Sequence, residues 1–204
     1  SGSDIDGDAL SFSLDTDASN GSVVVDGSVA TYTPSTNFNG SDSFTFMVSD
    51  GELTDTDTVT LTIEAINDAP VLASVSDVSF DEDDSGSISL SASDIDEDNL
   101  TFSITEGSDI TALLDGSDVT FSAPANYNGS ETFTISVSDG DLTDSQSITV
   151  IVNAVNDAPI ATADLTGTTN EDQSVVVTLS GSDIDGDALS FSLDTDASNG
   201  SVVV

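Results

Sequence analysis

Apolar and polar residues alternate along this chain with a period of two. Residues 43–49 read Ser-Phe-Thr-Phe-Met-Val-Ser, so Phe44, Phe46 and Val48 share one face. Residues 58–63 read Thr-Val-Thr-Leu-Thr-Ile, with Val59, Leu61 and Ile63 on one face. Both runs return later, as Phe133, Ile135 and Val137 and then as Ile148, Val150 and Val152. This alternation, with β-branched residues on the polar face, is the signature of half-buried strands. Further strands are predicted over 10–14, 22–25, 29–33, 86–92, 100–104, 118–122 and 174–180. Turn dipeptides separate them: Asp26-Gly27, Asn39-Gly40, Asp50-Gly51, Asp115-Gly116, Asn128-Gly129 and Asp139-Gly140. No segment carries a helical period of useful length. The prediction is an all-β chain of Greek-key sandwiches of immunoglobulin-like type, with about seven strands each.

Those strands recur because the sequence repeats. Residues 1–25 return letter for letter at 180–204, and Asn67-Asp68-Ala69-Pro70 returns as Asn156-Asp157-Ala158-Pro159, 89 positions on. That period is too long for a solenoid turn and suits a string of small domains. Boundaries set before each Asn-Asp-Ala-Pro give repeats at 1–66, 67–155 and 156–204. The first lacks its beginning and the third its end. Either the chain continues in both directions or halves of successive chains complete one another, and continuation is the preferred expectation. Each Ala-Pro favours extended backbone, so one domain is expected to pass almost directly into the next.

Charge changes the picture. The chain has 39 Asp plus Glu and no Lys, Arg or His, a net charge of −39. Internal ion pairs between side chains are therefore impossible, and self-repulsion is strong. Phosphate recognition needs basic side chains, so nucleic acid is excluded as a partner, as is an anionic membrane surface. Acidity of this order often means disorder, but 36% hydrophobic residues in strict strand periodicity argue for folded cores. There is no cysteine to staple the domains and no apolar run long enough to insert into a membrane. Cations from outside are the natural counterweight.

The carboxylates cluster alike in each repeat. Asp-Ile-Asp-Gly-Asp at 4–8 and 183–187, and Asp-Ile-Asp-Glu-Asp at 94–98, lie on loops. Glu82-Asp83 and Glu171-Asp172 stand near repeat starts, Asp50 and Asp139 end strands, and Asn-Asp forms each linker. Strand ends of a sandwich gather at its poles, so these groups can converge at the junctions. Hard oxygen donors without His or Cys favour Ca²⁺ over zinc, copper or iron, and over Mg²⁺.

Asp-Gly, then Thr-Val-Thr-Leu-Thr-Ile, then Asn-Asp-Ala-Pro resembles the end of a cadherin repeat. Asp-Ile-Asp resembles the cadherin Asp-X-Asp calcium motif, and Glu82 and Glu171 resemble its N-terminal calcium glutamate. With residues 39–51 added, the whole chain is similar to the cadherin-like tandem repeats of giant bacterial surface adhesins, including the RTX type. The resemblance implies a secreted or cell-surface location and calcium-rigidified extender domains that give an adhesin reach in adhesion and biofilm. It implies one junction at Asn67, Asp68, Asp94, Asp96 and Asp139 and a second at Glu82, Asn156, Asp157, Asp183 and Asp185. Asp4, Asp6 and Asp50 are the corresponding metal candidates of the first repeat. The partners implied are neighbouring repeats, with identical chains in a filament as a second class. The chain departs from cadherins in having no Asp-Arg-Glu motif and no Trp for strand-swap adhesion.

Plainer readings stand beside these. Asp favours turns without any metal, and Asp15, Asp17, Asp55 and Asp57 are expected to be solvated surface. Asp-Ile-Asp-Gly-Asp also begins like an EF-hand loop but lacks the later Glu and the helices. Asn20, Asn39, Asn99 and Asn128 match the glycosylation pattern, yet Asn-Gly is the stronger turn signal. Phe38 and Tyr127 are expected as core plugs. A catalytic reading has no His, Lys, Cys or Arg to use, so no enzyme is expected. The rival to the structural reading is an immunoglobulin-like module binding carbohydrate or protein through its loops. Its weakness is the identical copies at 1–25 and 180–204 and an aromatic content of 5%.

Overall fold

The computed structural model describes residues 2–204. Among these the chain is all-β, without a helix, and it divides into two compact units. The first unit holds the residues up to Pro70 together with Asp94–Asn99, and the second holds Val71–Ser93 and Leu100–Val204.

In the first unit β1 (Ser11–Thr16), β2 (Gly21–Asp26), β3 (Val29–Pro34), β4 (Gly40–Ser49) and β5 (Thr54–Ile63) follow in order. They form a three-stranded sheet β1-β4-β5 and a hairpin β2-β3. Phe44 opposes Val59 across β4 and β5, which puts their apolar faces in register. Val23 and Phe44 are buried in it.

The second unit contains β6 (Val71–Leu72), β7 (Val78–Asp81), β8 (Ser85–Ser89), β9 (Ala92–Ser93), β10 (Thr101–Ile104), β11 (Thr111–Asp115) and β12 (Asp118–Ser122). Then come β13 (Gly129–Ser138), β14 (Thr143–Asn153), β15 (Ile160–Ala161) and β16 (Gly181–Ser182). One sheet runs β10-β13-β14-β7 and another β11-β12-β8, with two-residue pairs β6-β9 and β15-β16. β7 joins β14 in parallel while the other pairings are antiparallel. The first strand of the sandwich therefore splits: its β6 part pairs with β9 and its β7 part pairs with the last strand. This arrangement is that of an immunoglobulin-like sandwich.

Alternation builds the core between the two larger sheets. Phe133, Ile135 and Val137 from β13 and Ile148 and Val150 from β14 meet Val119 and Phe121 from β12, all at 2% exposure or less. Phe121 and Phe133 meet edge to face with ring centroids 5.3 Å apart. Such a pair adds about 0.5–1.5 kcal/mol beyond its buried area. Tyr127 packs against this cluster from the edge.

Two local expectations shift. Residues 174–180 form no strand, although their counterparts Ser85–Ser89 do. β8 is held by pairing with β12, whereas residues 174–180 pair with no strand among the described residues. The Asn-Gly pairs at 39–40 and 128–129 open strands instead of forming hairpin turns. The left-handed residues that precede them are Asn37 (φ 60°) and Asn126 (φ 56°). A two-residue hairpin turn needs its flanking runs to pair, and the runs flanking Asn39-Gly40 and Asn128-Gly129 lie in different sheets.

Candidate metal centre at the repeat junctions

Each Asp-X-Asp-X-Asp loop closes on its first residue. Asp94 Oδ1 accepts the N–H of Asp96 at 2.8 Å and of Asp98 at 3.4 Å. Asp4 Oδ1 accepts from Asp6 at 2.9 Å and Asp8 at 3.0 Å. Asp183 Oδ1 accepts from Asp185 at 3.1 Å and Asp187 at 3.2 Å. The tight loop needs a left-handed fourth residue, which is Glu97 (φ 63°), Gly7 (φ 84°) and Gly186 (φ 79°) in turn. Glycine takes that conformation without strain, whereas Glu97 does not.

Winding the loop this way gathers oxygens. One carboxylate oxygen each from Asp94, Asp96 and Asp98 lies within 4.8 Å of the others, while Ile95 points outward. Asp94 Oδ2 is buried and has no hydrogen-bond partner. A buried carboxylate oxygen without a donor is unfavourable in water-free surroundings, and a cation there would satisfy it. The donor set, all oxygen and all anionic, fits Ca²⁺ by this test.

The linkers dock on these loops identically. Asp68 N–H donates to Asp96 Oδ2 at 2.7 Å, and Asp157 N–H donates to Asp185 Oδ2 at 2.7 Å. In the second unit the junction gains acidic groups from the start of the preceding repeat. Glu82 is 6% exposed. Its Oε1 accepts from Val155 N–H at 2.6 Å and its own N–H donates to Asn153 carbonyl at 2.9 Å. Asp83 Oδ1 accepts from Asn126 N–H at 3.0 Å. With its amide turned to donate, Asn126 reaches Asp83 Oδ2 at 3.2 Å and Asp157 Oδ2 at 3.1 Å.

Asp157 feels all of this. Burial pushes its carboxyl above the usual range, and the charges of Asp185, Asp83, Glu82 and Asp183 push it further in the same direction. Glu82, Asp157, Asp183 and Asp185 are thus brought together electrostatically with Asp83 of the same Glu-Asp pair, and Asn126 joins them without having been expected. Asn126 is identifiable in retrospect from its φ of 56°, which a sequence does not display. Asn156 turns its amide to the Asp157 carbonyl at 3.0 Å.

The remaining candidates sit as follows. Asn67 lies on the linker of the first unit with Asp68. Asp50 closes the turn after β4, its Oδ1 accepting from Glu52 and Leu53 N–H, both at 2.7 Å. These two bonds, from Leu53 first and then Glu52, hold its carboxyl below the usual range. Asp50 and Asp4 line one cleft of about 320 Å³. Asp6 is exposed on its loop. Asp139 belongs to the second unit and accepts from Asp141 and Leu142 N–H at 2.7 and 2.6 Å.

Two carboxylates that the sequence reading passed over do different work. Asp42 accepts from Ser19, Asn20 and Ser43 N–H and from the Tyr32 hydroxyl. Its counterpart Glu131 accepts from Ser108, Asp109 and Ile110 N–H. Burial alone would raise both carboxyls, but these donors outweigh it and lower them. They pin the loop that crosses from one sheet to the other. Alternation placed both on the apolar face of a strand, which was the available signal.

Two sandwich sheets with the first strand split between them, repeated along a chain with acidic junctions, define a tandem immunoglobulin-like protein. The chain belongs to the bacterial Ig domain family, whose model matches residues 1–62, 67–151 and 156–204. No curated protein matches the chain as a relative. Among solved structures it is similar to an endo-fucoidan hydrolase from glycoside hydrolase family 107, at 22% identity and TM-score 0.34 over 74% of this chain and 24% of that one. It is also similar to domains 4 and 5 of the S-layer protein SbsC, at 19% identity and TM-score 0.33 over 71% and 70% of the two chains. Titin domains z1z2 in complex with telethonin align at 12% identity and TM-score 0.34, over 71% and 81%. The chain spans about a quarter of the length of the fucoidan hydrolases it matches. No helix among the described residues is long and apolar enough to cross a membrane.

Proposed function

We propose that this chain is a calcium-rigidified extender, part of the stalk of a large cell-surface adhesin or extracellular filament of the cadherin-like, RTX-associated type. Its work is mechanical, and no catalytic role is assigned to it. Repeats 1–66, 67–155 and 156–204 are the units strung together, with neighbouring repeats as the principal partners. The observation that carries this reading is the convergence of Glu82, Asp83, Asp157, Asp183 and Asp185 in a protein without one basic side chain. Such a set repels itself until a cation enters, and a cation that bridges two repeats removes bending between them. Calcium supplies that charge when bound. Asp94, Asp96 and Asp98 with Asp68, and Asp183 and Asp185 with Asp157 and Glu82, would hold it.

Affinity for extracellular calcium modules is on the order of 10⁻⁴–10⁻³ M. At tenfold over its Kd each ion adds about 1.4 kcal/mol of stability. The test is thermal unfolding and small-angle scattering across a calcium titration and after chelation. The reading expects a rising Tm and a stiffer, longer particle with calcium. A Tm and a maximum dimension indifferent to chelation would sink it. Asp185→Asn should weaken the calcium-dependent gain in Tm while leaving the metal-free Tm unchanged or higher, because one repelling charge is gone.

A further inference from the structure

We propose that the side chains of Asp144, Gln146, Asp77 and Glu82 extend the short β7–β14 ladder into one load-bearing seam, and that this seam is where the repeat 67–155 resists being pulled apart by its linkers. The proposal rests on the extender reading in one respect, that tension enters a repeat at both of its ends, and it needs no metal. All residues of the seam lie within that one repeat. Main-chain pairing by itself is short there. β6 pairs with β9 over two residues, and β7 pairs with β14 over four, from Val78 opposite Val150 to Asp81 opposite Asn153. Between β6 and β7 the chain passes from one sheet to the other, and its peptide groups need other partners.

Side chains supply them at a nearly constant offset. Leu72 N–H donates to Asp144 Oδ2 at 2.9 Å. Val75 N–H donates to Gln146 Oε1 at 3.1 Å, and Gln146 Nε2 donates back to the Val75 carbonyl at 2.6 Å. A primary amide carries a donor and an acceptor side by side, so Gln146 gives Val75 the two bonds that a neighbouring strand would. Thr149 N–H donates to Asp77 Oδ1 at 2.7 Å. Past the ladder, Asn153 Nδ2 donates to Asp81 Oδ1 at 3.1 Å and Glu82 N–H donates to the Asn153 carbonyl at 2.9 Å. Val155 N–H then donates to Glu82 Oε1 at 2.6 Å. The side-chain bonds all join residues 71 to 73 positions apart. The ladder runs at the same offset, with Val78 opposite Val150. The side chains are therefore in register with it, and residues 72–82 lie along 144–155 as one parallel pair.

Parallel pairing decides how this seam meets force. The linker before the repeat leads into Leu72 and the linker after it leaves from Val155, so the two strands are drawn from opposite ends. Tension slides one strand along the other and stretches every bond of the seam together. Strands drawn from the same end would instead lose their bonds one at a time. Loading in shear raises the barrier to unfolding, and the unfolding rate governs forced rupture. The bonds of Leu72, Val75 and Val155 are partly sheltered from water. Asp144, Asp77 and Glu82 accept as carboxylates, which form the stronger kind of bond with N–H groups. Gln146 matters most, because it both donates and accepts and because it grips Val75, which lies in neither strand.

The chain has no cysteine, so pulling handles can be fixed at chosen positions of the full 204-residue protein. Ala69→Cys with Ala158→Cys loads the seam in shear. Asp84→Cys with Ala158→Cys draws both strands from the Glu82–Val155 end and peels it. Ala69, Asp84 and Ala158 are all exposed. Lifetimes at a fixed force are measured with chelator present, so the outcome does not depend on calcium. The sheared repeat is expected to outlast the peeled one by about tenfold or more. Gln146→Met should shorten the sheared lifetime about tenfold and leave the peeled one within about twofold. In peeling, Val75 sits at the far end of the seam and lets go only after the first bonds have opened. A general loss of stability would shorten both lifetimes alike. Equal lifetimes of the two handle pairs in otherwise unsubstituted protein, or an equal effect of Gln146→Met on both, would overturn the proposal. The first comparison holds even where the Gln146 variant fails to fold. A Tm indifferent to calcium would count against the calcium-stiffened reading without changing either lifetime, so the two failures are distinguishable.

Discussion

Glu131 and Asp42 carry more of each fold than their surface chemistry advertises. Each turns a carboxylate back onto several N–H groups of a loop that must cross between sheets. Glu131→Ala would strand the N–H of fully buried Ile110, at a cost of about 1–3 kcal/mol. Both carboxyls sit lower in the folded protein than in the unfolded chain. Their contribution is therefore complete above the ordinary carboxylate pKa and drains away as pH falls through the lowered folded value. Denaturant midpoints measured down a pH series should fall in that acid window, and Glu131→Gln should flatten the fall. Glu97 is the opposite case, a side chain held at φ 63° where its counterparts are glycine. Glu97→Gly is expected to gain about 0.5–1 kcal/mol, seen as a higher urea midpoint.

Strands β13 and β14 pair over a ten-residue register, as β4 and β5 do, and theirs, from Gly129 to Ser138, centres on Phe133 opposite Ile148. Phe133 is fully buried and touches Phe121 of the other sheet. Phe133→Ala should cost about 3–5 kcal/mol in equilibrium unfolding of the second unit. These strands were legible in advance because alternation, β-branching and length all pointed one way. The stretch 174–180 alternates less and reads as strand by composition alone. A strand without a partner gains no ladder hydrogen bonds, so composition did not suffice there. The Asn-Gly pairs misled for a related reason: a turn dipeptide marks a bend only when the flanking segments return upon each other.

Across the whole molecule the governing quantity is a charge of −39 with no cation of its own. Screening by salt shortens the range of repulsion to about 8–10 Å at physiological ionic strength. Metal-free protein should therefore melt higher as sodium chloride is added, with a gradual response that reflects screening. Calcium should act at millimolar concentrations and with saturation, and magnesium should do less, because it keeps its waters and asks for octahedral geometry. A calcium response no steeper than that of sodium at equal ionic strength would reduce its role to screening.

Periodicity alone was enough to establish strands, the repeat and the acidic loops, since alternation, offsets and residue types are properties of order along the chain. It also put Asp-X-Asp beside Asn-Asp by analogy of position. Tertiary structure decided which of those oxygens meet. Asp83 and Asn126 stand 43 residues apart, and Asp157 lies beyond both. Their convergence depends on how β7 lies along β14 and on two left-handed residues, Asp83 and Asn126. Neither pairing partner nor backbone handedness is written in a local pattern, because both are settled by the packing of segments far apart in the chain.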